Sequence, residues 1–188
     1  MGTELAIYEP LKLPDPRRPA LMPSLPAWVD SRIASLQENW QNGKKALTLP
    51  AAMVVSGTNR EQLLLSHAYE LKKFLQYTPI ASADAEAETL AIVTKMLFAL
   101  PGQRASETAN EARGEAYLAA LEDIPSWAVQ EAVRKWYRGE HGPKYDYRWS
   151  PCPAELREVA YLEQYPMKSR ITMLERVAKA VALVEYRR

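Results

Sequence analysis

A single cysteine, Cys152, stands in 188 residues. No disulfide can form within the chain, and a cysteine-based zinc site is excluded. Glycine is scarce, at seven. The backbone therefore has few positions suited to left-handed turns, and the glycine-rich signatures of phosphate binding are missing. Neither Gly-x-x-x-x-Gly-Lys nor Gly-x-Gly-x-x-Gly occurs, and no Gly-x-Ser-x-Gly elbow is present. There are two histidines, His67 and His141. They share no metal-ligand spacing with each other or with paired carboxylates. His67 is expected on a helix, at the core edge or the surface, and His141 in a solvent-exposed loop. The longest apolar runs, such as 96–101, are far too short for a bilayer span. The start Met1-Gly2-Thr3-Glu4 has no basic-then-apolar leader, and Ala6 breaks a myristoylation pattern. A cytoplasmic protein without membrane contact is expected.

What the chain does have is Ala, Leu, Glu, Lys and Arg, which lose little side-chain freedom on a helix. Long Val/Ile/Thr alternations are lacking. With 47% apolar residues, the chain can build a core. The expected fold is all-α: a compact bundle of six to seven helices with an extended Pro-rich N-terminal arm. Three regions are expected. They are an arm at 1–25, a helical domain at 26–166 and a basic amphipathic helix at 167–188.

The arm and its border hold six of the fourteen prolines, at 10, 14, 16, 19, 23 and 26. Each removes a backbone donor and restrains its neighbour, so no helix forms there. A first helix is predicted over 26–42, with Val29, Ile33, Leu36 and Trp40 inward and Gly43 as its stop. A second begins at a Thr58-x-x-Glu61 capping box and buries Leu64, Ala68, Leu71 and Leu75. A third follows Ser82, buries Leu90, Val93, Leu97 and Leu100, and ends at Pro101-Gly102. A fourth spans about 106–122, with an Ala109, Ala112, Ala116, Ala120 stripe for close packing. A fifth, 125–138, turns Ala128, Val129, Ala132, Val133 and Trp136 inward and stops at Gly139. A sixth starts at Pro153, carries Leu156, Val159 and Ala160, and stops before Pro166. The last runs from Met167 to about Tyr186, with Ile171, Leu174, Val177, Ala178, Val181 and Val184 in a stripe.

No catalytic set emerges, so a non-enzymatic protein without cofactor or metal is expected. Glu86/Glu88 and Glu111/Glu115 read as solvated helix carboxylates. Cys152 has no visible partner. The formal net charge of +1 gives no mandate for nucleic-acid binding. The charges are nevertheless uneven. Residues 126–188 hold twelve Lys/Arg against eight Asp/Glu, and residues 58–125 hold six against ten.

The most suggestive stretch interleaves aromatics with bases. Trp136, Tyr137, Tyr145, Tyr147 and Trp149 alternate with Arg134, Lys135, Arg138, Lys144 and Arg148. Such a set can form a core with solvated charges, a protein-binding hot spot, or a surface that stacks bases and neutralises phosphates. Candidate partner-contact residues are Trp136, Arg138, Lys144, Tyr145, Tyr147, Arg148 and Trp149. Arg170 and Arg176 on the basic last helix complete the set.

A longer stretch reads Tyr117-Leu118-Ala119-Ala120-Leu121-Glu122-Asp123-Ile124-Pro125-Ser126-Trp127, then Ala132, Trp136 and Gly139. It continues with Arg148-Trp149-Ser150-Pro151-Cys152-Pro153-Ala154-Glu155-Leu156-Arg157. Over about residues 84–160 this resembles the small helical proteins with which phages and prophages load or inhibit a replicative helicase. The resemblance implies a helical scaffold and an adaptor role, holding a ring helicase without hydrolysing ATP. Two other functions are compatible with the residues: a phage-encoded inhibitor of a host defence or polymerase complex, and a DNA-binding regulator.

Overall fold

The structure is a computed structural model that describes residues 10–41, 43–100 and 107–183. The expected arm residues 1–9, Asn42, the Pro101-Gly102 stop and the tail from residue 184 lie outside them. Six α-helices are described: α1 (Ala27–Ser35), α2 (Asn59–Gln76), α3 (Ala83–Ala99), α4 (Glu107–Leu121), α5 (Ser126–Arg138) and α6 (Pro153–Lys179). A small sheet joins β1 (Gln37–Gln41), β2 (Lys44–Leu49) and β3 (Val181–Ala182) in that order. The fold is predominantly α, and the sheet corrects the all-α expectation.

The chain forms two compact units. Of the described residues, the first gathers 10–15, 21–71 and 169–183, and the second gathers 16–20 and 72–168. The long helices α2 and α6 lend residues to both.

In the first unit, α1 ends seven residues before the predicted stop at Asn42. The segment 37–41 turns back as one strand of an antiparallel hairpin, with Gln41 facing Lys44. The pair Asn42-Gly43 is a strong two-residue hairpin signal, and Gly43 has φ +75°. Gly43 thus turns a hairpin instead of stopping a helix. Trp40 consequently sits on a strand and is 71% exposed, instead of lining a helix core. Arg32 is buried, donating from Nε to Met53 O at 3.0 Å and from Nη1 to Trp28 O at 2.7 Å.

The start of α2 is capped as the sequence indicates, with a shift of one residue. Glu61 accepts from the Gly57 N–H at 2.5 Å, and Thr58 Oγ1 accepts from the Arg60 N–H at 3.2 Å. Leu64, Ala68 and Leu71 are buried as expected. The α6 residues Ile171, Leu174, Val177 and Ala178 are buried too. Beyond Lys179 the chain leaves the helix. Val181 and Ala182 pair in parallel with Thr48 and Leu49, and the Leu183 N–H donates to Leu49 O at 2.9 Å. The last helix therefore ends at Lys179, earlier than predicted, and Val181 lies on a strand.

In the second unit, α3 packs against α4 and α5. Ser82 Oγ caps α3 by accepting from the Ala85 N–H at 3.4 Å. The buried face of α3 is Ala85, Thr89, Val93 and Met96. Leu90 is exposed and Leu97 and Leu100 are half-buried, so the predicted face is rotated. The alanine stripe of α4 is corrected as well: Ala112 and Ala116 face solvent, and Tyr117 and Leu121 are the buried positions. The close approach falls instead at Gly114, where an added Cβ would lie 3.5 Å from Leu90.

Helix α5 agrees with its predicted face throughout. Ala128, Val129, Ala132, Val133 and Trp136 are all buried. The C-terminal carbonyls of neighbouring helices are satisfied by side chains. Trp127 Nε1 donates to Phe74 O at 2.8 Å, and Arg157 donates to Ala120 O at 2.5 Å while forking onto Asp123.

Pro166 lies inside α6, where a helix end had been expected. A proline there removes the N–H that would reach the Leu162 carbonyl. Leu162, Tyr165 and Pro166 are all exposed, so water can serve that carbonyl and the helix continues.

Candidate functional site

The aromatic and basic stretch of the second unit becomes a closed loop at the end of α5. Gly139 adopts φ +69°, which favours glycine. Its N–H donates to Trp136 O and the Glu140 N–H donates to Lys135 O, both at 3.0 Å. This double bond pattern is a Schellman stop, and it throws the chain off the helix axis.

The loop then folds back over Trp136. That indole is buried, at 1% exposure, and its Nε1 donates to Trp149 O at 3.0 Å. Tyr147 meets it edge-on with ring centres 5.1 Å apart, and Tyr145 lies at 5.2 Å. The Tyr147 hydroxyl donates to Gly142 O at 2.6 Å. His141 is half-buried rather than exposed, with Nε2 donating to Ala132 O at 2.8 Å. Trp136, Tyr145 and Tyr147 thus form one cluster of packed rings, with Trp136 and Tyr147 each bonded to a loop carbonyl. The Tyr117 hydroxyl donates to Pro151 O and ties down the loop's far end. Cys152 is exposed, and its N–H donates to Glu155 at 2.7 Å, completing the start of α6 at Pro153.

Trp149 behaves differently. Its carbonyl is held by Trp136, yet its own side chain is 55% exposed. The indole is presented on an anchored backbone.

The bases do not form a free positive patch. Arg134 pairs with Glu131 at 2.6 Å, Lys135 with Glu163 at 2.7 Å and Arg138 with Glu140 at 2.9 Å. Lys144 pairs with Glu158 at 2.7 Å and Arg148 with Asp146 at 2.8 Å. Each of the five predicted cations has its own carboxylate, so the loop is close to neutral. Arg148 holds the Asp146 carboxyl at about 2, through side-chain and backbone hydrogen bonds. Lys144 lowers Glu158 in the same way and also lies 5.2 Å from the Tyr145 ring centre.

Arg170 and Arg176 belong to the first unit, not to this loop. Arg170 donates to Pro23 O at 2.6 Å, and burial lowers its guanidinium pKa. Arg176 pairs with Glu38 at 2.5 Å. Both make contacts within their own unit. In that unit His67 is buried, and its pKa is lowered by burial and by Arg170.

One surface escaped the sequence reading. Tyr161, Leu162 and Tyr165 are exposed on α6, within two turns of Glu158, the residue that holds Lys144 of the loop. They lie off the buried stripe of Leu156, Val159 and Ala160. Large apolar residues outside an assigned stripe were the signal available.

Among the described residues, no three His, Cys, Asp or Glu side chains are grouped to hold a metal, and no helix is long and apolar enough to cross a membrane. Comparison with known proteins gives no match to a protein-family model, a curated protein or a solved structure.

Proposed function

We propose that this chain is a non-catalytic adaptor that grips a protein partner through Trp149, with the Tyr161–Leu162–Tyr165 face of α6 as a supporting surface. The observation that carries this reading is the exposed Trp149 indole on a backbone fixed by Trp136. Binding hot spots favour tryptophan, tyrosine and arginine, and a side chain carried on an already fixed backbone leaves less ordering to be done on binding. The carboxylate beside every loop cation favours a protein partner over duplex DNA, because phosphate binding draws on cations that release counterions. Arg138, Lys144 and Arg148 then serve as rim charges that set orientation and association rate.

The partner we propose is a replicative helicase, which the chain would load or inhibit. This follows from the resemblance over about residues 84–160, and it makes the chain a phage-type replication accessory protein of the cytoplasm. The test is a pull-down from native-host lysate with tagged wild-type protein and tagged Trp149→Ala, each checked for fold by circular dichroism. The replicative helicase is expected with wild type and lost with the folded variant. Recovery of a defence or polymerase complex without helicase moves the assignment to a phage-encoded inhibitor. Equal recovery of helicase with both proteins removes Trp149 from the contact.

A further inference from the structure

In the first unit, β1 is an outer strand of the small sheet. Successive residues of such a strand alternate between bonding to the neighbour and pointing away from it. The far side of β2 fixes the phase. The Leu49 carbonyl accepts from the Leu183 N–H, so the odd-numbered positions of β2 face β3 and the even-numbered ones face β1. Through the register Gln37↔Thr48, Asn39↔Ala46 and Gln41↔Lys44, the odd-numbered positions of β1 bond to β2. The N–H and C=O groups of Glu38 and Trp40 therefore point outward. Among the described residues, no strand pairs with them.

Proteins usually blunt a sheet edge with a short strand, lysine, proline or a bulge. At the opposite edge β3 does so, with two residues. β1 is five residues long, keeps an unbroken register with β2 and holds neither lysine nor proline. Its one charged side chain, Glu38, is neutralised by Arg176 at 2.5 Å. Trp40 lies on the same face as Glu38 and is 71% exposed. A large apolar side chain thus stands beside open backbone donors and acceptors.

We propose that β1 pairs antiparallel with β1 of a second copy, joining the two three-stranded sheets into one. Full overlap of the strands places the two-fold axis at Asn39. Glu38 then faces the partner's Trp40, and each such pair exchanges N–H···O bonds in both directions. The match is self-complementary. The Arg176 that neutralises Glu38 comes alongside the partner's indole, a setting that suits cation–π contact. No like charges stand directly opposite. An axis at Glu38 would set two carboxylates face to face and shorten the overlap. An unrelated strand has no such match built in. This edge shares no residue with the Trp149 surface, so either proposal stands without the other.

The test is sedimentation equilibrium of the full chain from low to several hundred micromolar. An interface this small predicts a weak, concentration-dependent dimer. Its dissociation constant should rise at least tenfold in Trp40→Ala, which removes an exposed side chain. It should also be at least tenfold higher in Glu38→Pro than in Glu38→Ala. Both of these lose the carboxylate, but only proline removes the outward N–H, a change that edge strands tolerate. Circular dichroism checks the fold of each variant, and Trp40→Ala decides alone if Glu38→Pro does not fold. The proposal is overturned by a monomer at every concentration, by a dimer of unchanged affinity in Trp40→Ala, or by equal affinity in folded Glu38→Pro and Glu38→Ala.

Discussion

Trp136 and Trp149 are thirteen positions apart and one hydrogen bond apart, and their environments assign them opposite roles. Truncating the buried indole removes its packing and strands the carbonyl it serves. We expect Trp136→Ala to lose about 3–5 kcal/mol of stability, a typical cost for a buried aromatic. Trp149→Ala should change stability by no more than about 0.5 kcal/mol, as usual for surface positions. Urea denaturation of the two variants checks both values. The sequence showed that this stretch is aromatic and basic, but not which tryptophan is core, because both have similar neighbours.

His67 makes the stability of the fold depend on pH. Its pKa is lowered in the folded protein by burial and by Arg170, so the unfolded chain takes up the proton first as pH falls. The stability contribution is intact above the unfolded value of about 6.5 and is lost as pH drops from there toward the folded value. Urea midpoints should therefore fall between pH 7.5 and 5.5 for wild type, and fall less for His67→Gln. An equal fall in both would assign the pH dependence to other groups.

Among the elements, helices with strong local signals were legible and those that depended on distant partners were not. The buried face of α5, the capping of α2 and the proline start of α6 follow from spacing and cap chemistry. The rotated face of α3 does not, because Leu90 and Thr89 differ by one helical step and only packing decides between them. The strand β3 is two residues long and pairs with β2 across more than 130 positions, so no local pattern marks it.

Two substitutions probe these elements. Gly139→Ala should destabilise by about 1–2 kcal/mol, because a Cβ is disfavoured at the φ of +69° that the Schellman stop requires. Pro166→Ala should stabilise by roughly 1–3 kcal/mol, since it restores a helix hydrogen bond at an exposed position. Thermal unfolding reads both, and a destabilised Pro166→Ala would mean that the proline has a packing role.

Across the whole molecule, the modest formal charge conceals how the charges are arranged. The bases and aromatics between 134 and 149 are compatible with a core, a protein-binding hot spot or a nucleic-acid surface. Folding pairs each base with an acid, two of them from α6 and one from earlier on α5. Those pairings bring together residues up to 28 positions apart, so composition could not reveal them. The division into two units was equally hidden, because α2 and α6 run through the boundary without a linker. The helical class and the candidate loop were visible in the sequence. Its neutrality, and the exposed tyrosines of α6, required the fold.

Trp149 is proposed to anchor a protein contact. The most direct measurement is the equilibrium affinity of purified replicative helicase from the native host for wild type and for Trp149→Ala at matched salt. Truncation is expected to cost about 2 kcal/mol or more, roughly thirtyfold in Kd, as for a hot spot. Equal affinity for the two proteins would contradict it.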